Sequence, residues 1–138
     1  MVNFLLDTNV ISELRKGSRT DAGVLNWSIG TTPTAQYTSV IVIGELRRGV
    51  ELKRHTDAAQ AHVLERWLEK SISSFEGRIL PVDLRIASAW GRMGIPDPVT
   101  EIDGLIAATA KVHDLIVVTR DKSILAMKDV KSINPFHH

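Results

Sequence analysis

The sequence predicts an α/β fold in which helices cover both faces of a mostly parallel sheet. Short apolar runs of strand length alternate along the chain with longer patterns of helical period. Strands separated by a helix can pair in parallel, and a parallel sheet is buried on both faces. A length of 138 residues, with 43% hydrophobic and 24% charged residues, suits a single globular domain spanning 1–138.

The N-terminal half begins with an apolar run of strand length and continues mainly as helix. Its predicted elements, in chain order, are a strand at 2–6, helices at 8–16 and 21–29, a strand at 35–38, and helices at 40–54 and 57–75. Ser39 is a preferred N-cap residue and predicts where the third helix begins. Gly77 predicts the end of the fourth helix, because glycine readily adopts the left-handed conformation found after helices.

The C-terminal half repeats the alternation with shorter elements. They are a strand at 79–82, a helix at 84–93, a loop at 94–98, a helix at 102–113, a strand at 115–118, a helical turn at 122–127 and a strand at 130–133. Pro81 places the first of these strands at an edge or an end, because proline cannot donate to the sheet. Three tryptophans, Trp27, Trp67 and Trp90, fall within predicted helices and are expected in the core.

Composition and motifs exclude several classes of protein. The chain has no cysteine, which excludes disulfides, thiolate metal sites and cysteine nucleophiles. Its net charge of +1 argues against a strongly basic nucleic-acid coat, although a local basic face is compatible with it. No apolar stretch approaches the ~20 residues of a membrane span and no signal peptide is recognisable, so a cytoplasmic protein is expected. P-loop, dinucleotide-binding and nucleophile-elbow motifs are absent from the sequence.

Aspartates follow three of the predicted strands. Asp7 follows the first strand, Asp83 the third and Asp121 the fourth. In open parallel sheets, ligands bind outside the carboxyl ends of the strands, which is where these side chains would lie. Each aspartate also suits the N-cap of the helix that follows it, and a cap alone would explain it.

On a helical wheel of the helix at 40–54, with about 100° per residue, Glu45 falls among apolar residues. Leu46 and Leu52 lie in the same arc, and so does Gly49, which would leave room beside the carboxylate. A buried carboxylate without a partner costs several kcal/mol, so this one is expected to bind a metal or to pair with an arginine from elsewhere. The pattern favours the metal.

Asp103 lies in the first turn of the helix at 102–113, next to its apolar face. Thr100, three residues earlier, completes a capping box, so Asp103 alone would be interpreted as a cap. With Asp7, Glu45 and Asp121 it would form an all-oxygen cluster at one end of the sheet. Such a cluster suits Mg²⁺ or Mn²⁺, since the five histidines show no zinc spacing, and it suits phosphoryl chemistry.

Four ordered motifs, together with a short C-terminal segment, resemble one known family. They are Asp7-Thr8-Asn9, Gly44-Glu45-Leu46-Arg47-Arg48-Gly49, Asp103-Gly104-Leu105-Ile106-Ala107-Ala108-Thr109-Ala110, Val118-Thr119-Arg120-Asp121 and the terminal Asn134-Pro135-Phe136. In this order they resemble the PIN-domain proteins, and among these the VapC-type toxins of bacterial toxin–antitoxin pairs, close to the FitB-like branch. The resemblance spans essentially the whole chain.

The resemblance implies a three-layer α/β/α domain that acts as a Mg²⁺-dependent endoribonuclease, with Mn²⁺ as a substitute. It places metal-binding acids at Asp7, Glu45, Asp103 and Asp121, a supporting hydroxyl at Thr119 and an orienting amide at Asn9. The implied reaction is in-line attack on an RNA phosphodiester by a metal-activated water. Asp103 and Glu45 would hold the metal with Asp7, while Asp121 would hold a second metal or position the water.

The resemblance also implies an antitoxin partner that covers the site, and a homodimer or a larger assembly with that antitoxin. Arg15, Lys16, Arg47 and Arg48 are candidates to contact RNA phosphates, although a solvated helix face explains them equally well. Two alternatives stay open. One is a PIN-like domain that binds RNA or protein without catalysis. The other is a Mg²⁺-dependent phosphate-transfer domain, either a receiver or an aspartyl phosphatase, although Asn9 stands where such a phosphatase needs a second aspartate.

Overall fold

A five-stranded parallel sheet forms the middle layer of the protein. The structure is a computed structural model, and it describes residues 1–96 and 98–137. The strands are β1 (Phe4–Leu6), β2 (Gln36–Ser39), β3 (Ile79–Leu80), β4 (Ile116–Val118) and β5 (Ser132–Ile133). They lie in the order β3-β2-β1-β4-β5, and every described pairing is parallel. Asp97 of the predicted loop lies outside the described residues, as does His138.

Helices connect the strands and cover the sheet, which gives the predicted three-layer α/β/α fold. They are α1 (Thr8–Leu14), α2 (Ala22–Ile29), α3 (Val40–Thr56), α4 (Ala58–Ser74), α5 (Leu84–Gly91), α6 (Glu101–Val112) and α7 (Lys122–Leu125). The Ser39 hydroxyl caps α3 by accepting a hydrogen bond from the Val42 N–H at 3.2 Å, as predicted. Within the described residues, no helix combines the length and the apolar character needed to cross a membrane.

The two central strands, β1 and β4, lie in the middle of the core. Leu5, Leu6, Val117 and Val118 are fully buried on alternating faces, so both faces of the sheet are covered. Helix α6 is buried over residues 106–110, as its apolar pattern predicts. Burial of each such aliphatic side chain contributes roughly 1.5–3 kcal/mol, so these strands provide a firm support for the residues that follow them.

The order of the strands reverses between β1 and β4. The chain runs outward from β1 through β2 to β3, and then returns to the other side of β1 to form β4 and β5. Crevices that bind ligands form at such a switch point, outside the carboxyl ends of the strands. The Asp7 N–H donates a hydrogen bond to the Val118 carbonyl at 3.0 Å, so the two strand ends adjoin. The order also differs from the 2-1-3-4-5 order of receiver domains, which disfavours that alternative.

The predicted buried arc of α3 is too wide. Leu52 is 65% exposed and Gly49 is exposed, whereas the buried residues of this helix are Val42, Leu46 and Val50. Helical periodicity gives the direction of each side chain, but the width of the buried stripe depends on how many neighbours pack against the helix. Glu45 is half-buried at the border of this narrower stripe.

Trp90 corrects a second expectation. Its side chain is 36% exposed, whereas Trp27 and Trp67 pack against the core as predicted. Trp90 lies over Gly104, where a Cβ atom would approach its Cδ1 to 2.9 Å. The glycine therefore lets α5 and α6 approach each other closely, beside Asp103.

Candidate active site

The side chain of Asp7 lies at the carboxyl end of β1 and is only 4% exposed. Its Oδ1 accepts a hydrogen bond from the Thr8 N–H at 2.7 Å, which makes Asp7 the N-cap of α1. Its Oδ2 accepts a hydrogen bond from the Thr119 hydroxyl, also at 2.7 Å. The carboxylate is therefore held from two sides, by its own helix and by the neighbouring strand.

Thr119 follows β4 and is fully buried. Besides donating to Asp7, its hydroxyl accepts hydrogen bonds from Asn9 Nδ2 at 3.1 Å and from the Asp121 N–H at 2.9 Å. The single proton and both lone pairs of this hydroxyl are thus in use. Asn9 also accepts a hydrogen bond, from the Arg120 N–H to its Oδ1 at 3.2 Å. Asn9 and Thr119 together join the ends of β1 and β4 across the switch point.

Glu45 approaches the same corner from α3. Its Oε1 accepts a hydrogen bond from the Thr8 hydroxyl at 2.5 Å. No ion pair among residues 1–96 and 98–137 includes Glu45. The alternative prediction, a salt bridge from Glu45 to an arginine, is therefore wrong for the described residues. The charge of Glu45 also acts on Asp7, whose pKa it raises.

Asp103 and Asp121 meet through Ser123, the second residue of α7. Ser123 Oγ lies 2.6 Å from Asp103 Oδ2 and 2.8 Å from Asp121 Oδ1, and its one proton can serve only one of them at a time. The Ser123 N–H also donates to Asp121 at 2.8 Å, which makes Asp121 the N-cap of α7. The predicted cap at Thr100 is present as well, since its hydroxyl accepts a hydrogen bond from the Asp103 N–H at 3.4 Å.

Asp83 performs the cap role that the sequence also allows for the other aspartates. Its Oδ1 accepts a hydrogen bond from the Ile86 N–H at 3.0 Å, at the start of α5. The side chain is exposed and follows β3, which is one of the two edge strands of the described sheet. Since Asp7 and Asp121 are N-caps too, the cap role by itself does not distinguish Asp83 from them.

The environment of Asp7 disfavours its charge. Burial raises the pKa of Asp7 above its ordinary value of 3.8, and the charges of Glu45 and Asp121 raise it further. Hydrogen bonds from the Thr119 hydroxyl and the Thr8 amide lower the pKa, but they do not cancel the increase. A bound cation would remove this penalty, because it would replace repulsion between carboxylates by attraction.

The environment of Asp121 favours its charge. Burial by itself would raise the pKa of Asp121, but hydrogen bonds from the hydroxyl and the amide of Ser123 outweigh it. The amide of Ile124 adds to this effect, and the resulting pKa lies below 3.8. The pKa values of the two cap aspartates therefore shift in opposite directions, because burial outweighs the hydrogen bonds of Asp7, whereas the hydrogen bonds of Asp121 together outweigh its burial.

The chemistry of these side chains fits a hard divalent cation. The side chains of Asp7, Glu45, Asp103 and Asp121 offer carboxylate oxygens as metal ligands, and such ligands suit Mg²⁺ or Mn²⁺. Within residues 1–96 and 98–137, however, no three His, Cys, Asp or Glu side chains form a group that could hold a metal. The carboxylates are directed to the hydroxyls of Thr8, Thr119 and Ser123.

The cationic residues that the sequence nominates for RNA differ in their availability. Arg47 forms an ion pair with Glu65 at 2.9 Å, and Lys16 pairs at 3.0 Å with the acid three residues before it. Arg15 and Arg48 are exposed. Arg47 and Lys16 are therefore better explained as members of solvated helix faces than as residues free to contact an RNA phosphate.

Sequence reasoning did not single out three residues that adjoin this site. Thr8 binds Glu45, Ser123 links two aspartates, and the Arg120 N–H binds Asn9. Thr8 and Arg120 stand inside the quoted motifs, so their position next to a nominated acid was a usable signal. Ser123 had no signal of its own, because serine after a helix cap is common.

Comparison with known proteins supports the resemblance. The model of the PIN domain family matches residues 4–130. The chain is 38% identical over 139 residues to Toxin FitB of Neisseria gonorrhoeae, which covers 96% of this chain and 98% of the relative. It is 34% identical over 142 residues to VapC ribonuclease Y4jK of Sinorhizobium fredii, which covers 96% of this chain and 96% of that relative.

The fold agrees with these matches. The crystal structure of FitAcB from Neisseria gonorrhoeae superimposes with a TM-score of 0.85 at 38% identity, over 98% of this chain and 99% of that chain. Sequence and fold therefore match along nearly the whole length of the chain, including the strand ends that carry the site. The chain belongs to the PIN domain family.

Proposed function

We propose that this protein is a divalent-metal-dependent endoribonuclease, and that it acts as the toxin of a toxin–antitoxin pair through one PIN-like domain spanning 1–138. The observation that carries the proposal is the set of carboxylates held by hydroxyls at the switch point of the sheet. The Thr119 hydroxyl binds the Asp7 carboxylate and the backbone N–H of Asp121, and the Ser123 hydroxyl lies within hydrogen-bond distance of the carboxylates of both Asp121 and Asp103. Repulsion within such a set makes a cation its natural ligand.

Each side chain has a distinct role in the proposal. Asp7, Glu45 and Asp103 hold the metal, and Asp121 holds a second metal or positions water. Thr119 and Asn9 orient Asp7, through the hydrogen bonds that join the two strand ends. When bound, a divalent cation supplies charge stabilisation at the phosphodiester and activates water.

RNA is the substrate that best fits the family and the shape of the site. A relative with 34% identity is named a VapC ribonuclease. One side of the site is exposed, since Ser123 and Arg120 are exposed next to Asp121. A polymeric phosphodiester can reach such an open edge, and the cytoplasm, where we place the protein, supplies RNA.

An antitoxin is the expected protein partner. A ribonuclease without a neutralising partner would damage its own cell, and the relative with 38% identity is named a toxin. We propose that the antitoxin covers the carboxylates, and that the toxin forms a homodimer and a hetero-oligomer with it.

The direct test is RNA cleavage by the purified protein. A panel of tRNAs and ribosomal RNA is incubated with the protein in Mg²⁺ or in EDTA, and the products are separated on a denaturing gel. We expect discrete cleavage in Mg²⁺ and none in EDTA. Glu45→Gln is the matched variant, because it keeps the size of the side chain and removes its charge; it should remove cleavage while the protein stays folded. Cleavage that persists in EDTA would contradict the proposed metal dependence.

The toxin role has a separate test in cells. Expression of the chain alone should arrest growth, and co-expression of the small gene adjacent to it should relieve the arrest. Normal growth at high levels of soluble wild-type protein would contradict the toxin role. Normal growth combined with RNA binding but no cleavage would favour the non-catalytic alternative.

A further inference from the structure

The C-terminal segment after β5 is fixed against the start of α2. The His137 N–H donates a hydrogen bond to Asp21 Oδ2 at 2.9 Å, and the same oxygen caps α2. Gly23 lies directly beneath the segment, because a Cβ atom there would clash with the Pro135 carbonyl oxygen. Phe136 is 8% exposed and belongs to the hydrophobic core. Residues 134–137, which we call the C-terminal strap, therefore occupy a defined position.

The strap places an aromatic ring under an arginine of the candidate site. The guanidinium carbon of Arg120 lies 4.5 Å from the centre of the Phe136 ring. Arg120 follows Thr119 and precedes Asp121, and its N–H is bound to Asn9. The backbone of Arg120 is thus part of the network that holds the carboxylates, while its exposed side chain rests on the strap.

The Arg120 side chain has a charge that the described residues do not neutralise. No ion pair within residues 1–96 and 98–137 includes it, although carboxylates occur on both sides of it in the site. Arg47 and Arg54 differ, because both are bound to Glu65 at 2.9 and 3.0 Å. Arg120 is therefore a cation at the edge of an acidic site that contacts the Phe136 ring and forms no ion pair with the described acids.

Stacking on a ring leaves a guanidinium able to bind an anion. The guanidinium has five N–H donors in one plane, and contact with a single ring does not occupy all of them. A planar fork of this kind matches two oxygens of a phosphate, which a lysine cannot do. The ring also restricts the side chain, so less conformational entropy is lost when an anion binds.

We propose that Arg120, stacked on Phe136 of the C-terminal strap, binds a backbone phosphate of the RNA and positions the strand at the carboxylates. This inference rests on the proposed ribonuclease function and adds to it a substrate contact at a residue that sequence reasoning did not nominate. It also gives the strap a role, since the strap determines where the positive charge lies.

The test measures RNA binding and its dependence on salt. A fluorescently labelled single-stranded RNA is titrated with the full chain in EDTA, which prevents metal-dependent cleavage, at a series of NaCl concentrations. Loss of one phosphate contact to single-stranded RNA reduces the slope of log K against log salt by about 0.7. We expect this reduction, with weaker binding, for Arg120→Gln, and a partial recovery of affinity for Arg120→Lys.

Two further variants separate the contact from general charge and from folding. Arg66→Gln removes the same charge from the exposed face of α4, a helix that carries no residue of the site, and should leave the slope and the affinity unchanged. Phe136→Leu keeps an apolar side chain in the core but removes the ring, and it should weaken binding less than Arg120→Gln does. In Mg²⁺, Arg120→Gln should raise KM more than it lowers kcat, because the contact acts mainly on substrate binding.

The outcomes distinguish this inference from the proposed function. Wild-type protein that binds and cleaves RNA, with Arg120→Gln equal to it in affinity, slope and KM, would overturn the role of Arg120 alone. Wild-type protein that neither binds nor cleaves RNA would overturn the proposed function and this inference together. Equal losses in Arg120→Gln and Arg66→Gln would overturn the inference too, because they would show an effect of net charge. Melting temperatures of all variants verify that each is folded.

Discussion

Two halves of the candidate site differ in how firmly the fold holds their carboxylates. In the buried half, Asp7 is 4% exposed, and the fully buried Thr119 hydroxyl has a partner for its proton and for each lone pair. In the exposed half, Asp103 and Asp121 compete for the one proton of the exposed Ser123. The fold thus determines one half before any ligand arrives, whereas the other half can exchange partners when a ligand binds.

The position of each half in the fold explains the difference. The buried half follows β1 and β4, which are the central strands and lie in the core. The exposed half depends on the first turn of α6 and on α7, a helix of only 4 residues. Short helices have few hydrogen bonds of their own and take their position from contacts, so they adjust more readily. Preorganisation in one half and adaptability in the other would let the site accept a large substrate.

Asp7→Asn tests the buried half and should have the largest effect. The change removes the negative charge while the amide oxygen can still accept a hydrogen bond from Thr8 or Thr119. We expect RNA cleavage to fall by more than about a hundredfold, beyond the range found for residues that only support metal ligands. Cleavage rates in Mg²⁺, measured on one defined RNA, check this expectation.

The same variant reports metal binding independently of cleavage. For wild-type protein, Mn²⁺ at a hundred times its dissociation constant should stabilise the fold by about 2.7 kcal/mol, which raises the melting temperature. In Asp7→Asn this increase should be small. Equal increases in both proteins would contradict a metal role for Asp7, and no increase in the wild type would contradict a metal site in the folded protein.

Thr119→Ala should have the next largest effect, because it breaks the buried half without removing a carboxylate. It leaves the Asn9 amide and the Asp121 N–H without their acceptor at Thr119, and it removes one of the donors to Asp7. Each buried group left unsatisfied costs about 1–3 kcal/mol of stability. Cleavage should fall by about 10–100-fold. Thr119→Ser retains the hydroxyl and should recover most of the lost stability and most of the lost cleavage. Urea unfolding and cleavage rates measure the two.

Ser123→Ala is the matched change in the exposed half. Water can replace its hydroxyl at an exposed position, so we expect a loss of less than about 1 kcal/mol and a smaller loss of cleavage than in Thr119→Ala. A loss of stability in Ser123→Ala as large as in Thr119→Ala would contradict the division of the site into a fixed half and an adjustable half.

Sequence periodicity predicted the sheet, its parallel strands and the helices between them, because apolar runs and helical stripes are local properties. It also located Asp7, Asp83 and Asp121 at strand ends, since chain order alone puts them there. The Thr119 and Asn9 positions came from the family resemblance and not from periodicity. The hydrogen bond between Asn9 and Thr119 crosses the switch point, so predicting it requires the order of the strands, which local patterns do not contain.

The links between the carboxylates were beyond sequence reasoning for the same reason. Thr8 and Glu45 are 37 residues apart, and Ser123 and Asp103 are 20 apart, so only packing brings them together. The helical periodicity of α3 predicted the direction of the Glu45 side chain correctly. It predicted wrongly that Leu52 is buried, because the width of a buried stripe is set by the neighbours that pack against the helix. Residues whose role depends on a single long-range contact are the ones that local patterns miss.

A pH series compares the two halves through their opposite pKa shifts. The folded pKa of Asp7 lies above 3.8, so its contribution to stability is complete below pH 3.8 and is lost as pH rises through the folded pKa. The folded pKa of Asp121 lies below 3.8, so its contribution is present above pH 3.8 and is lost as pH falls through the folded pKa.

Urea unfolding in EDTA, from acidic to neutral pH, measures both contributions. Relative to wild type, Asp7→Asn should gain stability as pH rises. Asp121→Asn should lose stability over the same range, by a smaller amount because solvent screens a partly exposed group. If the free energy of unfolding, relative to wild type, changed with pH in the same direction for both variants, the electrostatic contrast between the halves would be contradicted.

The smallest effect on cleavage is expected for Asp83→Ala, which removes an aspartate that resembles Asp121 in its local structure. Both residues follow a short strand and cap a helix, and each accepts a hydrogen bond from the backbone of the helix it caps. Loss of a cap costs about 0.5–2 kcal/mol, so Asp83→Ala should lower stability by that amount. Its cleavage rate should equal that of wild type, because Asp83 follows β3, an edge strand.

Asp121→Asn keeps a side chain that can cap a helix, and it should reduce cleavage with little change in stability at neutral pH. The reduction should be larger at limiting Mn²⁺ than at saturating Mn²⁺ if Asp121 acts through a second metal or a positioned water. Cleavage that is lost in folded Asp83→Ala and retained in Asp121→Asn would show that the site lies at the edge of the sheet and not at its switch point.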